Sequence, residues 1–197
     1  MSQRQPQPKG NYAFIDSQNL NLGTQKVGWK MNWQKFRHFL RDRYNIQKAF
    51  LFIGYLPGNE ELYTGLHDQG YLIVLKPTLE MYHPPAGGRS ETKPAPAKGE
   101  EDAKPAVKGN VDAELVLYAV KEMPNYQKAI VVSGDGDFFS LVEYLSQQNK
   151  LLHLMTPNWQ YSSLLKPFEK YIVRVDQFKR ELRYVDRPGH KSKAAKP

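Results

Sequence analysis

The stretch Ala129-Ile130-Val131-Val132-Ser133-Gly134-Asp135-Gly136-Asp137-Phe138 decides the fold. Four apolar residues, mostly β-branched, make a short strand with no polar face. A tight turn with two glycines and two aspartates follows at once. Phe138, Leu141, Val142 and Leu145 then repeat at helical spacing. A fully apolar strand that runs straight into a helix belongs to a parallel sheet covered on both faces.

The same pattern extends in both directions. Tyr12–Ile15 is a short apolar strand. Asn32 can cap a helix in which Trp33, Phe36, Leu40 and Tyr44 share a face. Lys48–Tyr55 is β-rich. Glu60–Gln69 reads as a helix with acids in its first turn and Gly70 as its stop. Tyr71–Leu75 is a strand. Asp112–Met123 reads as a helix with Ala113, Val116, Leu117 and Val120 on one stripe, ended by Pro124. Leu151–Met155, a helix near Tyr161–Phe168, strand Tyr171–Val175 and a last helix complete an alternating α/β series.

The chain has 197 residues, 40% hydrophobic and 12% aromatic, enough for one core and short for two. It has no cysteine, which excludes disulfides, zinc–thiolate sites, iron–sulfur clusters and cysteine nucleophiles. Met1–Gly10 lacks the apolar run of a signal peptide, and no stretch approaches the ~20 apolar residues of a membrane helix. A cytoplasmic protein with no membrane partner is expected. The net charge of +8 favours a polyanionic partner. Much of that excess lies in two polar ends, residues 1–10 and 186–197, which are expected to be disordered tails.

Pro84–Val107 holds five prolines, three glycines, eight charged residues and no aromatic. Such a segment cannot bury enough apolar surface to offset its ordering entropy. It reads as a mobile low-complexity loop (84–107) inserted in one domain spanning 11–185, because neither flank makes a complete α/β unit alone.

Sites in sheets of this kind lie beyond the carboxyl ends of the strands. Asp16 directly follows the first strand. Asp135 and Asp137 follow the strand 129–132. Asp112 opens a helix just after the loop. Crowded carboxylates repel, and a bound cation relieves them. Mg²⁺ suits such a place, since it takes oxygen ligands, accepts a few carboxylates and keeps several waters. Plainer roles are also open. Asp137 and Asp112 could be helix N-caps, and Asp135 could shape a turn. Asp16 has no evident capping duty, and Asn19 either orients it or forms a turn. An EF-hand beginning at Asp135 fails, because its sixth and twelfth positions are Ser140 and Ser146. No phosphate-binding glycine loop or nucleophile elbow is present. The five histidines lack metal-ligand spacing.

Three motifs carry a resemblance: Phe14-Ile15-Asp16-Ser17-Gln18-Asn19, Lys108-Gly109-Asn110-Val111-Asp112 and Ser133-Gly134-Asp135-Gly136-Asp137-Phe138. Together they resemble the NYN domain family, the LabA-like group of PIN-like nucleases, over about Asn11 to Val175. The resemblance implies a Rossmann-like/PIN-like three-layer sandwich with a central mainly parallel sheet. It implies an acidic pocket for Mg²⁺ or Mn²⁺ formed by Asp16, Asp112, Asp135 and Asp137, with Asn19 as a pocket partner. For characterised members it implies ribonuclease activity. Tyr118 departs from the pattern, because many similar sequences carry an acid there, and the departure bears on catalytic competence.

The expected function is metal-dependent hydrolysis of RNA, single-stranded in preference. Lys76 and Lys108 flank the loop and, with Lys30, are candidate phosphate contacts. Tyr55 and Trp159 follow strands at the site edge, where they either stack on unpaired bases or simply pack. The competing expectation is a catalytically weak or inactive domain that binds nucleic acid or a protein. Exposed tails and a flat sheet edge would permit a homodimer.

Overall fold

The computed structural model describes residues 9–76 and 111–185. The two tails expected at 1–10 and 186–197, apart from Lys9 and Gly10, the loop expected at 84–107, and Lys108 lie outside the described residues.

Strand β1 (Asn11–Asp16) leads into α1 (Ser17–Lys26), and α2 (Trp33–Tyr44) precedes β2 (Ile46–Gly54). Next come α3 (Glu60–Asp68), β3 (Leu72–Lys76), α4 (Asp112–Lys121) and β4 (Ala129–Val132). Helix α5 (Phe139–Gln147), β5 (Leu151–Thr156), β6 (Ile172–Arg174) and α6 (Lys179–Leu182) complete the chain. Short 3₁₀ segments at Gly136–Phe138, Ser163–Tyr171 and Val175–Phe178 join the later elements.

The six strands form one sheet in the order β3-β2-β1-β4-β5-β6, and each neighbouring pair is parallel. The order reverses between β1 and β4, and the crevice beyond their carboxyl ends is where open sheets of this topology bind ligands. Asp16 ends β1, and Ser133 follows the last residue of β4.

Alternation along β1 and its neighbours builds a core on each face. Tyr12, Phe14, Phe50, Phe52 and Val131 pack with Leu115 of α4 and with Leu141, Val142 and Leu145 of α5. Ala13, Ile15, Leu51, Ile130 and Val132 pack with Leu20 of α1, Phe36 and Leu40 of α2, and Leu66 of α3. The result is the three-layer α/β architecture expected from the strand pattern.

Several local details differ from the sequence reading. The buried stripe of α4 is Leu115 and Ala119, while Ala113, Leu117 and Val120 are exposed. Both sets have helical spacing, and the sheet selects the one that places Leu115 against Phe14 and Val131. Residues 163–171 form a 3₁₀ segment rather than an α-helix, as suits a run interrupted by Pro167, whose ring and missing N–H oppose a regular helix. Helix α1 has no counterpart in the sequence reading. Asn32 does cap α2, accepting a hydrogen bond from the Lys35 N–H at 3.0 Å.

Candidate functional site

Two turns meet at the switch point of the sheet. The first is the passage from β1 into α1. Asp16 is buried, and it is the N-cap of α1, with Oδ1 accepting from the Asn19 N–H at 3.0 Å. The capping duty absent from the sequence reading therefore exists. It went unseen because α1, with Asn19, Asn21 and Gly23, has a weak helical signature. Ser17 Oγ donates to the Phe52 carbonyl at 2.7 Å and ties the start of α1 to β2.

The second turn leaves β4. Ser133 is fully buried, and its Oγ donates to Asp16 Oδ2 at 3.2 Å while accepting from the Asp135 N–H at 3.2 Å. One hydroxyl thus fixes both turns. Asn19 adds a second tie, as its Oδ1 accepts from the Gly134 N–H at 2.8 Å. The Gly134 carbonyl in turn accepts from the Ser162 N–H at 2.9 Å. Gly134 and Gly136 are needed for close approach and not for a left-handed backbone. A Cβ at Gly136 would collide with Ser162 Oγ, and one at Gly134 would press on Pro157 and Tyr161 at 3.3 Å.

Asp135 caps the 3₁₀ turn Gly136–Phe138, its Oδ1 accepting from the Asp137 N–H at 3.1 Å. Asp112 is the first residue of α4, and Val111, not Asp112, occupies the cap position. Alternation along β1 gives Asp16 the side of Tyr12 and Phe14, which is the face that α4 covers. Burial raises the pKa of Asp16 above its ordinary value, and the negative charges of Asp112 and Asp135 add to the rise. The bonds from Asn19 and Ser133 oppose it. Asp16, Asp112 and Asp135 therefore share one electrostatic environment. Asp137 is exposed and is not among the charges acting on Asp16.

Among the described residues, no three Asp, Glu or His side chains stand close enough to form a ready-made metal cage. The donor chemistry nevertheless fits a hard divalent cation. All the candidate ligands are carboxylate oxygens, and the buried one is held in the charged form only against desolvation and two like charges. An ion that binds through one or two carboxylates and retains its waters does not need a closed protein cage.

The expected nucleic-acid contacts are more dispersed. Lys76 ends β3, two strands from β1, with Nζ 3.1 Å from Glu114 Oε2. Tyr55 donates its hydroxyl to Glu60 Oε1 at 2.8 Å and packs on Tyr63. Lys30 is exposed in the link from α1 to α2. Trp159 is 55% exposed, with the Arg174 guanidinium 5.9 Å from its ring centroid. Ser133 and Ser162, which the sequence reading does not single out, hold the acid-bearing turn instead. A serine directly between a buried strand and Gly-Asp was the available signal for Ser133.

Residues 12–173 match the NYN domain family. The chain is 24% identical over 173 residues to the low amplitude and bright protein LabA of Synechococcus elongatus, covering 81% of this chain and 80% of the relative. It also superimposes on the crystal structure of a protein of unknown function from Vibrio parahaemolyticus. That match has a TM-score of 0.62 at 20% identity and covers 92% of this chain and 100% of the other. It extends the agreement in fold. Among the described residues, no helix is long and apolar enough to cross a membrane.

Proposed function

The chain belongs to the NYN domain family, a family of PIN-like nucleases, and from that premise we propose that it is a metal-dependent ribonuclease, using Mg²⁺ or Mn²⁺ to hydrolyse phosphodiester bonds of single-stranded RNA. The observation that carries the reading is the placement of Asp16. It is a buried carboxylate at the switch point of the sheet, pushed toward its protonated form by burial and by Asp112 and Asp135. Carboxylates perturbed by burial and by like charges in a crevice cluster at functional sites.

In this reading Asp16 and Asp135 hold the cation, with Asp112 as the third carboxylate. Bound there, a divalent ion supplies charge stabilisation on the phosphate and a water of lowered pKa. The protein's part is orientation. Ser133 Oγ fixes the Asp16 carboxylate and the Asp135 backbone together, and Asn19 pins Gly134 so that the turn bearing Asp135 cannot drift. Asn19 is thus a positioning residue. Asp137 stands on the solvent side of the turn, where its charge bears on an approaching strand more than on Asp16. The net charge of +8 supports a polyanionic substrate.

The test is incubation of purified protein with labelled single-stranded RNA in Mg²⁺ or Mn²⁺, beside EDTA and the Asp135→Asn variant. Cleavage that requires both metal and Asp135 is expected. Intact RNA in every lane, from folded protein that still binds the probe, would replace the enzyme by a nucleic-acid-binding module.

A further inference from the structure

Beside the acids, between α1 and the turn that leaves β5, lies a cleft of about 190 Å³, lined in part by Asn19, Leu22, Lys26, Gly134, Pro157 and Gln160. We propose that this cleft is the subsite for one unpaired nucleobase next to the phosphodiester held at the acids, with Lys26 taking the neighbouring phosphate. The proposal rests on the phosphodiesterase reading above and adds where the substrate strand lies.

Position is the first argument. Asn19 and Gly134 line the cleft and also belong to the hydrogen-bonded frame of Asp16 and Asp135. An occupant would therefore sit beside the residues that frame the acids, and not on a remote docking face. Size is the second. The cleft is smaller than the ~300–1,000 Å³ that encloses a drug-sized ligand, so it admits one ring system and leaves the rest of the strand outside.

Chemistry is the third argument. Leu22 and Pro157 give an apolar surface, and Leu22 is 56% exposed with no cover of its own. Asn19 uses Oδ1 for Gly134, which leaves its Nδ2 donors without an acceptor among the described residues. The Gln160 side-chain amide likewise makes no hydrogen bond among them. Apolar surface with in-plane amide donors and acceptors matches the face and edge of an unpaired base. Among the described lining residues none is acidic, and Lys26 is the cation. A neutral base with an anionic backbone is thus accommodated beside a carboxylate site that would repel it.

Rigidity is the fourth. Asn158 is buried, with Nδ2 donating to the Gly23 carbonyl at 2.7 Å and Oδ1 accepting from the Gln160 N–H at 2.6 Å. One amide therefore staples α1 to the opposite wall, so the cleft is formed before any ligand arrives, and little ordering cost falls on binding.

Binding is measured by fluorescence anisotropy in Mg²⁺ on the full chain carrying Asp135→Asn, which keeps the strand intact. The probes are a labelled single-stranded RNA oligonucleotide, the same strand with one abasic residue placed at each position in turn, and the DNA counterparts. The parent should lose about tenfold in affinity at one abasic position, the worth of one base contact. Adding Leu22→Ala or Gln160→Ala should weaken binding of the intact strand by a similar ~10-fold and erase the abasic penalty. Adding Lys26→Ala should weaken intact and abasic strands alike and reduce the salt slope by about one. All three side chains are at the surface, and thermal melting verifies the fold. An abasic scan without a sensitive position, or folded variants that bind like the parent, overturns the subsite, while cleavage by the wild-type chain leaves the phosphodiesterase reading standing. Absence of both binding and cleavage, for RNA and DNA, overturns both. Equal sensitivity in the two polymers supports the base subsite and shows that the 2′-hydroxyl is not read.

Discussion

Ser133 Oγ lies 3.2 Å from Asp16 Oδ2, across 117 residues of sequence, and the same oxygen accepts the Asp135 N–H. This hydroxyl is the joint between the two acid-bearing turns. Its donation to Asp16 lowers the carboxylate's pKa and opposes the rise caused by burial. Ser133→Ala removes the donor and leaves the Asp135 amide without its acceptor. The variant should lose ~1–3 kcal/mol of stability, the usual cost of a buried partner left unpaired. On the proposed ribonuclease reading, RNA cleavage should fall by about 10–100-fold, the usual effect of losing a residue that orients a metal ligand. The acid limb of the rate–pH profile should move to higher pH. A packing role alone would lower the melting temperature without moving that limb.

Asp16 is a conflict between stability and function. Burial raises its pKa above the ordinary 3.8, so the fold binds this proton more tightly than the unfolded chain does. Stability is therefore lost as the pH rises from the unfolded pKa through the folded one, and at neutral pH the charged carboxylate carries its full penalty. Asp16→Asn keeps an Oδ1 acceptor for the Asn19 N–H and removes the charge. In EDTA at pH 7 its melting temperature should exceed that of the wild type by roughly 2–4 °C, equivalent to about 1 kcal/mol. The gain should vanish as the pH falls toward 3.8. Mg²⁺ should raise the wild-type melting temperature and not the variant's, and cleavage should drop more than about 100-fold. A variant less stable at pH 7 than the wild type would contradict the account.

The difference between what the residues announced and what they concealed is physical. Strands β1, β2, β4 and β5 are largely apolar runs with few competing readings, and two of the three acid motifs stand at strand ends while the third opens α4, so the sheet and its site edge are legible. Helix α1 is not. Its only sizeable aliphatic residues are Leu20 and Leu22, of which Leu20 alone enters the core, and its packing against the β5 turn through Gly23 has no local signature. The stripe of α4 was ambiguous between two helical faces until the sheet chose one. Trp159 stands out in the sequence as a stacking residue, yet the cleft beside the acids is lined by Pro157, Asn158 and Gln160, and the indole sits under Arg174. Chain direction through a turn, which a linear pattern does not contain, decides such cases.

Tyr118, which stands where many similar sequences carry an acid, packs half-buried against the core. Its ring makes edge contacts with Phe50 and Phe52, each at 5.7 Å between centroids. Restoring an acid with Tyr118→Asp would exchange those contacts for a half-buried charge. A loss of about 2–3 kcal/mol is expected from the lost ring packing, read as a lower urea midpoint. No gain in Mg²⁺ affinity or in cleavage rate should accompany it, because six residues along a helix turn the position away from Asp112. A more active variant would show instead that the site lacks only this ligand.

Gly23 inverts a general rule. Glycine inside a helix ordinarily costs about 0.5–1 kcal/mol relative to alanine, and α1 has it in mid-helix. A Cβ there would collide with Pro157 Cβ and reach 2.8 Å from Cγ. The proline cannot swing aside freely, since the next residue, Asn158, is bonded to the Gly23 carbonyl itself. Gly23→Ala should therefore destabilise the protein by ~1–3 kcal/mol, as overpacking does, and should also reduce cleavage by displacing the wall that carries Asn19. Gly65 in α3 is the control. A Cβ at that position meets nothing within 4 Å, so Gly65→Ala should stabilise by ~0.5–1 kcal/mol through helix propensity alone. Thermal melting of the two variants side by side checks the sign. If both substitutions stabilise, α1 and the β5 turn are not packed as tightly as the structure has them, and the rigid wall of the neighbouring cleft goes with that packing.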